Sequence, residues 1–219
     1  MTDSARTSVD EIATALKVLE NHPDFRVLRR LGAGTEVSVS LEGTPLRAAI
    51  VDTETTGTGP DDRIVELALL VFEYDATTGT IGRIVDTYDG LEDPGRPIPP
   101  EATAIHGITD EMVAGRALDE ARIRSLLAGL TLVIAHNAAF DRPFLERRLE
   151  DFAALPWGCS YAQIPWGEEG FAGAKLEYLA MSSGFFYEAH RSEADCQALL
   201  ELLRRPLPRS GGNCLRHAP

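Results

Sequence analysis

Two segments of the chain, residues 47–53 and 131–135, are almost continuously apolar. Strands that are buried on both faces have this composition, so each segment is predicted to be a strand in the middle of a sheet. Two further strands are predicted over residues 63–74 and 81–90. The polar, glycine-containing segment 75–80 between them indicates a hairpin turn.

Helices are predicted where apolar residues recur at helical spacing or where capping residues mark a start and an end. Residues 8–20 place Ile12, Leu16 and Leu19 on one face, which is the pattern of an amphipathic helix. The other helices are predicted over residues 100–106, 109–114, 118–128, 140–151, 175–183 and 192–203.

The order of these elements predicts an α/β fold. Three strands followed by helix, strand and helix indicate a mixed sheet, in which three antiparallel-related strands are joined by parallel strands and helices cover both faces. Residues 46–205 are assigned to this domain. Residues 1–45 are predicted to form a small helix and strand extension, with a short helix after Pro23 and a strand over residues 36–41. Residues 206–219, rich in Pro, Gly and Arg, are predicted to be a poorly ordered tail.

The composition is that of an ordinary globular protein. The 219 residues are 44% hydrophobic and 25% charged, which excludes a disordered or fibrous chain. No apolar run approaches the roughly 18 residues that a membrane span needs, so no membrane partner is predicted. The three cysteines share no disulfide or metal-ligand spacing, and no signal-peptide pattern is present, which favours a cytoplasmic location.

The charge balance limits the class of partner. The chain carries 34 Asp and Glu against 21 Lys and Arg, a formal net charge of −13. A protein that holds long nucleic acid by neutralising its phosphates needs the opposite balance. The sequence therefore argues against a basic groove, and it raises the question of whether some of the acids are metal ligands.

Two carboxylates follow the first buried strand. Asp52 and Glu54 are two residues apart, so their side chains project from the same face of a strand and can converge on one point. Carboxylates that close repel each other unless a cation intervenes, and hard divalent ions such as Mg²⁺ or Mn²⁺ take oxygen ligands. Taken alone, strand-end acids that cap the next turn explain the pair equally well.

Two further acids each open a helix. Asp141 follows the fourth predicted strand, and the carboxyl ends of parallel neighbours meet at one edge of a sheet. Asp195 lies in the first turn of the last predicted helix, and His190 lies on the preceding loop, where a neutral imidazole can take a proton from water. Considered separately, each acid is also typical of a helix N-terminus, and His190 of an exposed loop.

The order and context of these residues resemble one family, the DEDDh 3′–5′ exonucleases. This ribonuclease H-like family includes the proofreading epsilon subunit of bacterial DNA polymerase III. The resemblance covers residues 47–204, and the segment 97–110 is similar to the connecting segment of the proofreading branch. The family's three motifs are similar to Asp52-Thr-Glu54, His136-Asn-x-x-Phe-Asp141 and His190-x-x-x-x-Asp195.

Two departures from related sequences bear on the site. Tyr187 lies too far before Asp195 to stand for the tyrosine that replaces the histidine in the sister DEDDy branch, so the histidine branch is preferred. Residues 157–161 stand where relatives often carry an Asp-Thr pair. That second departure leaves the four acids in place but changes the edge of the expected pocket.

The resemblance implies a two-metal phosphodiester hydrolase that requires two divalent ions, Mg²⁺ or Mn²⁺. It implies that Asp52, Glu54 and Asp195 hold one ion, and that Asp52 bridges to a second ion supported by Asp141. His190 is implied to deprotonate the attacking water. The expected substrate is the 3′ end of single-stranded DNA, with release of nucleoside monophosphates, and RNA is the alternative substrate.

The terminal nucleotide is expected to lie against the backbone that follows Asp52, where Gly57 permits a close approach. Phe140, Tyr161 and Phe185 are candidates to stack on a base, although core packing explains such aromatics more often. The implied partners are a replicative DNA polymerase or a sliding clamp. The predicted substrate-binding residues are Thr53, Thr55, Thr56, Gly57, His106, Asn137 and Phe140.

Three rival interpretations stay open at this point. An exoribonuclease of the same family differs only in how its pocket treats the 2′-hydroxyl. A non-catalytic subunit using residues 197–203 as a clamp ligand is less favoured, because the leucines of that segment have the spacing of a buried helix face. A haloacid dehalogenase-type phosphatase needs a suitably placed lysine, and Lys175, the only lysine after residue 54, lacks that setting.

Overall fold

The computed structural model describes residues 9–32, 39, 41 and 44–217. Two short 3₁₀ turns, Glu150–Ala154 and Cys214–His217, accompany the regular elements. The strands are β1 (Arg29–Arg30), β2 (Leu46–Thr55), β3 (Ile64–Tyr74), β4 (Ile81–Leu91), β5 (Leu132–Ala135), β6 (Trp157–Cys159) and β7 (Phe185–Phe186). The helices are α1 (Val9–Glu20), α2 (Pro100–His106), α3 (Asp110–Val113), α4 (Glu120–Leu127), α5 (Ala138–Arg148), α6 (Ser160–Gln163), α7 (Leu176–Ser182) and α8 (Ser192–Arg204).

The central sheet has five strands in the order β4-β3-β2-β5-β6. β2 pairs antiparallel with β3 and parallel with β5, so Ile50 lies opposite Leu70 on one side and Ile134 on the other. β3 and β4 form the predicted hairpin, and β5 and β6 are parallel. The predicted mixed sheet is confirmed, and β6 adds a parallel strand that the sequence analysis did not predict.

Both faces of the sheet are covered, which explains why β2 is apolar at successive positions. Ala48 and Ile50 pack in a cluster with α7 and α8, and Ala49 and Val51 pack in a second cluster with α4 and α5. Successive strand residues project to opposite faces, so a strand between two helical layers needs apolar side chains on both. The predicted placement of helices on both faces is confirmed.

The extension is only partly as predicted. Helix α1 matches the predicted helix 8–20, but residues 25–28 after Pro23 have no regular structure, so the predicted short helix there is wrong. Most of the predicted strand 36–41 lies outside the described residues. The described residues of the extension, mainly 9–32, form an N-terminal arm. This arm contributes β1, which pairs parallel with β7 as a second, two-stranded sheet.

Residues 206–217 are packed, which differs from the predicted poorly ordered tail. Leu207, Cys214 and Leu215 are 2%, 2% and 8% exposed and belong to the same apolar cluster as α8. The backbone N–H groups of Arg209 and Ser210 also donate to the carboxylate of Glu169. Three apolar residues without a period leave no local signature, so only their contacts with α8 show that the segment is folded.

The leucines of α8 that a sliding clamp would need are inside the protein. Leu199, Leu200, Leu202 and Leu203 are at most 3% exposed. The segment 197–203 therefore supplies core packing, as its helical spacing favoured. Within the described ranges, every helix falls short of the length and apolar character that crossing a bilayer requires.

Candidate active site

The predicted acids gather at the carboxyl end of the two central parallel strands. Asp52 and Glu54 lie near the end of β2, and the chain leaving its parallel neighbour β5 enters α5, whose first turn carries Asp141. Helix α8 packs across β2 and β3, with Cys196 Sγ 3.8 Å from the backbone oxygens of Ile50 and Ala68. That contact brings the first turn of α8 to the same edge of the sheet.

Three of the acids form one cluster. A carboxylate oxygen from each of Asp52, Glu54 and Asp195 lies within 4.8 Å of the other two, and all three side chains are partly exposed. Asp141 is 2% exposed, and its Oδ1 accepts hydrogen bonds from the backbone N–H of Thr53 at 3.0 Å and from the Thr53 hydroxyl at 2.8 Å. The cluster is thus open to solvent, and Thr53 fixes the fourth acid.

Burial and mutual repulsion make the ionised acids unfavourable. Burial, followed by the charges of Asp141, Asp195 and Glu54, holds the pKa of Asp52 well above its usual range. Burial and the charges of Asp195 and Glu66 raise the pKa of Glu54 to about 8. Burial likewise raises the pKa of Asp141 to about 7 against the opposing hydrogen bonds from Thr53, and raises that of Asp195. A hard divalent cation would relieve the repulsion among these crowded carboxylates, because it takes oxygen ligands.

We expect the metal-free protein to lose stability as the pH rises from about 4.5 to about 8. Unfolded carboxyl groups ionise near pH 4, whereas in the fold Asp141 and Glu54 keep their protons to about pH 7 and 8. Between these limits the folded state binds more protons, so the free energy of unfolding falls with pH and levels off above the folded pKa. Thermal unfolding in EDTA at pH 6 and pH 8.5 measures this change.

The Glu54→Gln variant is the control for that measurement, because it removes one of the raised pKa values and is expected to flatten the pH dependence. Added Mg²⁺ is expected to restore stability most strongly at pH 8.5, where the acids are ionised. An unfolding temperature in EDTA that stays constant or rises over this range would show that the acids are not protonated in the fold.

His190 lies on the loop before α8, beside Asp195. Its side chain is exposed, and its backbone has a φ of 65°, a left-handed conformation that is uncommon for a residue other than glycine. Asp195 Oδ2 accepts the backbone N–H of His190 at 2.8 Å and that of Arg191 at 3.2 Å. The Asp195 carboxylate therefore holds the strained turn that carries the imidazole.

Side-chain contacts organise the turn after β2 from within. The Thr55 hydroxyl donates to the carbonyl of Gly57 at 2.6 Å, and the Thr56 hydroxyl, 1% exposed, donates to Asp62 Oδ1 at 2.8 Å. A Cβ on Gly57 would lie 2.5 Å from Asp62 Oδ2, so any other residue there would displace the Asp62 carboxylate from this position. Asp62 is also bound by the backbone N–H of Gly59 and by Arg96. The side chains of Thr55 and Thr56, two of the predicted substrate-binding residues, therefore stabilise the turn through hydrogen bonds within it.

His106, at the end of α2, is buried next to this turn. Its Nδ1 accepts the backbone N–H of Ile108 at 3.0 Å, so the proton of the neutral ring is on Nε2. Nε2 has no hydrogen-bond partner among the described residues. Burial lowers the pKa of His106, and an interaction of its ring N–H with the backbone of Thr55 opposes the shift. The neutral N–H therefore faces the backbone that follows Asp52, without a hydrogen bond of good geometry among the described residues.

The remaining predicted contacts lie at the start of α5. Asn137 is exposed and has a φ of 76°, which asparagine tolerates better than most residues. Phe140 is half-buried, with its ring 5.2 Å from that of Phe144. Tyr161 is 47% exposed, but Phe185 is 3% exposed and packs in the core, so the prediction that Phe185 can stack on a base is wrong.

His136 has a structural role, because its ring bridges two segments of the chain. Its Nε2 donates to the carbonyl of Ala174 at 2.7 Å, and its Nδ1 accepts the hydroxyl of Ser160 at 2.8 Å. Burial lowers the pKa of His136 to about 4, so the ring is neutral. It ties the entry of α5 to the segment before α7.

An ion pair that the sequence analysis missed holds the other end of the site. Glu66 is 1% exposed and lies directly opposite Glu54 in the β2–β3 register, where like charges repel. Arg191 binds Glu66 through Nε and Nη2, and the backbone N–H of Ser192 donates to Glu66 Oε2 at 2.9 Å. The only sequence signal was an acid, Glu66, within the otherwise apolar run 64–72.

Comparison with known proteins identifies relatives of this chain. The family model RNase_T, described as exonuclease, matches residues 49–203. The DNA polymerase III subunit epsilon of Treponema pallidum is 31% identical over 180 residues, covering 76% of this chain and 80% of that protein. A DNA polymerase III subunit epsilon-like protein of Rhodobacter capsulatus is 41% identical over 132 residues, covering 57% of this chain but only 17% of that protein.

Solved structures show a similar architecture. Exonuclease X in complex with 5′ overhanging duplex DNA superposes with a TM-score of 0.53 at 29% identity, covering 78% of this chain and 97% of that one. Exonuclease I superposes with a TM-score of 0.56 at 24% identity, over 73% of this chain and 40% of that one, and shows the likeness of fold. The ribonuclease H-like α/β architecture expected from the sequence is confirmed.

Proposed function

Because this chain belongs to the RNase_T exonuclease family, we propose that it is a metal-dependent 3′–5′ exonuclease that releases nucleoside monophosphates from the 3′ end of DNA. The observation that carries the proposal is the convergence of Asp52, Glu54 and Asp195 within 4.8 Å, with Asp141 fixed beside them by Thr53. Hydrolysis of a phosphodiester needs such a cluster to be neutralised by cations before a polyanion can approach.

The donor set suits two Mg²⁺ or Mn²⁺ ions. Asp52, Glu54 and Asp195 would hold one, and Asp52 and Asp141 would hold the other, since Asp141 keeps one oxygen free of Thr53. Such ions, when bound, offset the negative charge that develops on phosphorus during displacement. Thr53 keeps the Asp141 carboxylate in place, and the raised pKa values of the acids favour a cation over ionised carboxylates alone.

His190 is proposed to be the general base that takes a proton from the attacking water. Its imidazole is exposed, and the two backbone hydrogen bonds to Asp195 Oδ2 keep the turn that carries it against Asp195. A histidine is suited to this step because its neutral form is populated near neutral pH. Arg191, tied to Glu66, limits how far the turn can move away.

The terminal nucleotide is proposed to lie between the turn after β2 and the start of α5. The N–H of His106 Nε2 lies near the Thr55 backbone without a well-aligned hydrogen bond in the described chain, so it would be placed to donate to a sugar or phosphate oxygen there. Asn137 and the half-buried ring of Phe140 offer an amide and an apolar face on the opposite side. Thr53, Thr55, Thr56 and Gly57 would act through the backbone that they shape.

The acidic surface is compatible with an enzyme that binds only the end of a nucleic-acid strand. A net charge of −13 gives no general attraction for long DNA, so binding is expected to be weak and to depend on a delivering partner. A replicative DNA polymerase is the partner class that fits this need. The buried leucines of α8 leave residues 197–203 unavailable to a sliding clamp, so any such contact must use another surface.

The direction and metal requirement are tested with labelled oligonucleotides. In Mg²⁺ or Mn²⁺, a 3′-labelled single strand is expected to release its label at once as a mononucleotide, and a 5′-labelled strand to shorten one nucleotide at a time. EDTA is expected to stop both. Release from the 5′ end, internal cuts, or hydrolysis in EDTA would contradict the proposal.

Substrate class and partner need separate arms of the same experiment. A matched RNA oligonucleotide is expected to be degraded more slowly than DNA, and a faster rate on RNA would identify an exoribonuclease of the family instead. Addition of the replicative polymerase from the same organism is expected to raise the rate on primed duplex DNA. An unchanged rate would identify a free-standing nuclease.

A further inference from the structure

One short segment before α8 supplies three hydrogen bonds to the Asp195 carboxylate. Tyr187 donates its hydroxyl to Asp195 Oδ1 at 2.8 Å. The backbone N–H groups of His190 and Arg191 donate to Oδ2 at 2.8 and 3.2 Å. A carboxylate has about four acceptor sites, so these donors occupy most of them.

The occupied sites determine which oxygen is left for a cation. Oδ2 accepts from two N–H groups, whereas Oδ1 accepts from Tyr187 alone among the residues that the structure describes. Oδ1 therefore retains the free acceptor position through which Asp195 can join Asp52 and Glu54 in one ligand set. Rotation of the carboxylate would break hydrogen bonds at both oxygens, so the three donors together select one orientation.

Tyr187 is itself held from the side of the N-terminal arm. Its neighbour Phe186 accepts a backbone hydrogen bond at 2.8 Å from Leu31, just after β1. Arg30 stacks over the Phe186 ring at 5.2 Å and pairs with Glu188 at 3.1 Å. The residues on both sides of Tyr187 are therefore attached to an arm that lies outside the family-matched region 49–203.

The other end of the segment is attached to the sheet. Arg191 binds the buried carboxylate of Glu66 through Nε at 3.0 Å, and the adjacent Ser192 N–H donates to the same carboxylate. Tyr187 and the His190 turn thus lie between two anchors, β1 and Glu66. Because the segment is fixed at both ends, the Tyr187 hydroxyl has a fixed direction, and a group that orients a metal ligand needs one.

We propose that Tyr187 is a positioning residue of the metal site, whose hydroxyl orients Asp195 so that Oδ1 faces Asp52 and Glu54. The inference rests on the proposed function, because it assigns Asp195 to a cation. It also gives the N-terminal arm a role, since β1 pairs with β7, the strand that directly precedes Tyr187.

The test compares Tyr187→Phe with Tyr178→Phe. Each change removes one hydroxyl, but that of Tyr178 accepts the backbone N–H of Ala172 and has no contact with the acids. Loss of a group that orients a metal ligand typically costs roughly 10- to 100-fold in metal affinity. We therefore expect Tyr187→Phe to weaken Mn²⁺ binding by about 10-fold or more in calorimetry, and Tyr178→Phe to bind Mn²⁺ as the wild type does.

Kinetic measurements distinguish a variant with a misoriented metal ligand from a variant whose active site is disrupted. Tyr187→Phe is expected to need more Mn²⁺ for half-maximal activity, to recover most of its kcat at saturating Mn²⁺, and to keep its KM for the oligonucleotide. Wild-type Mn²⁺ affinity in Tyr187→Phe, or a loss of kcat that excess Mn²⁺ does not restore, would overturn the proposal. If the wild type binds Mn²⁺ but degrades no nucleic acid, the proposed function fails while calorimetry still tests Tyr187.

Discussion

Replacement of Asp52 by asparagine is expected to abolish exonuclease activity without unfolding the protein. Asp52 is the acid proposed to contact both ions, and cations at such a site supply several kcal/mol of transition-state stabilisation. At about 1.4 kcal/mol per factor of ten, the expected loss in kcat is ~10³-fold or more. Single-turnover release of a 3′-terminal label measures the loss.

The stability of the same variant separates a functional acid from a structural one. Burial and three neighbouring carboxyl groups make ionised Asp52 unfavourable in the metal-free fold, and asparagine carries no charge. Asp52→Asn is therefore expected to be as stable as the wild type in EDTA at pH 8, or more stable, and to lose the stabilisation that Mg²⁺ gives.

Asp24→Asn is the matched control, because the Asp24 side chain is 83% exposed on the N-terminal arm and the same change there leaves the cluster intact. Its activity and its response to Mg²⁺ are expected to equal those of the wild type. Asp52→Asn with more than a tenth of wild-type kcat would show that the cluster does not carry the reaction.

Replacement of His190 is expected to slow hydrolysis by about 10²- to 10⁴-fold, the usual contribution of a general base. His190→Asn is the preferred variant, because asparagine tolerates the left-handed backbone at this position better than alanine does. The backbone N–H that donates to Asp195 is retained, so Mg²⁺ is expected to stabilise this variant as it does the wild type. That result distinguishes loss of the base from loss of a metal ligand.

His22→Asn is the control for this variant, since His22 is a half-exposed histidine on the N-terminal arm, and wild-type kcat is expected. Measurement of kcat at saturating Mg²⁺ compares the two variants. A His190→Asn enzyme within threefold of the wild type would exclude His190 as the base, and would leave water activation to another group at the mouth of the cluster.

The acidic excess of the chain has two different origins in the structure. Asp52, Glu54, Asp141 and Asp195 form the site, where repulsion is useful because it favours a cation. Others are structural: Asp62 binds Thr56, Gly59 and Arg96 and shapes the turn after β2. The net charge argues against a basic groove, but it does not distinguish the acids of the site from the structural ones.

Local pattern was enough to place the main elements. The apolar runs predicted β2, β3 and β5, because a strand between two helical layers has no polar face to break its run. Helix α2 begins at Pro100 and ends before Gly107, whose φ of 71° is one that glycine adopts readily. Helix α5 was less well placed, since it begins at Ala138 and ends at Arg148 rather than spanning 140–151.

The sequence by itself determined the mixed sheet and its main elements, although not β1, β6, β7 or α6, and it placed four acids and a histidine on segments that end at one edge. These properties depend on strand alternation and helix caps, which are set within a few neighbouring residues. Only the tertiary structure decided that Tyr187 binds Asp195, that Arg191 pairs with Glu66 across 125 positions, and that residues 206–217 are packed. The Arg191–Glu66 pair joins segments that are distant along the chain, and the Tyr187–Asp195 contact spans an irregular loop, so no local periodicity records either of them.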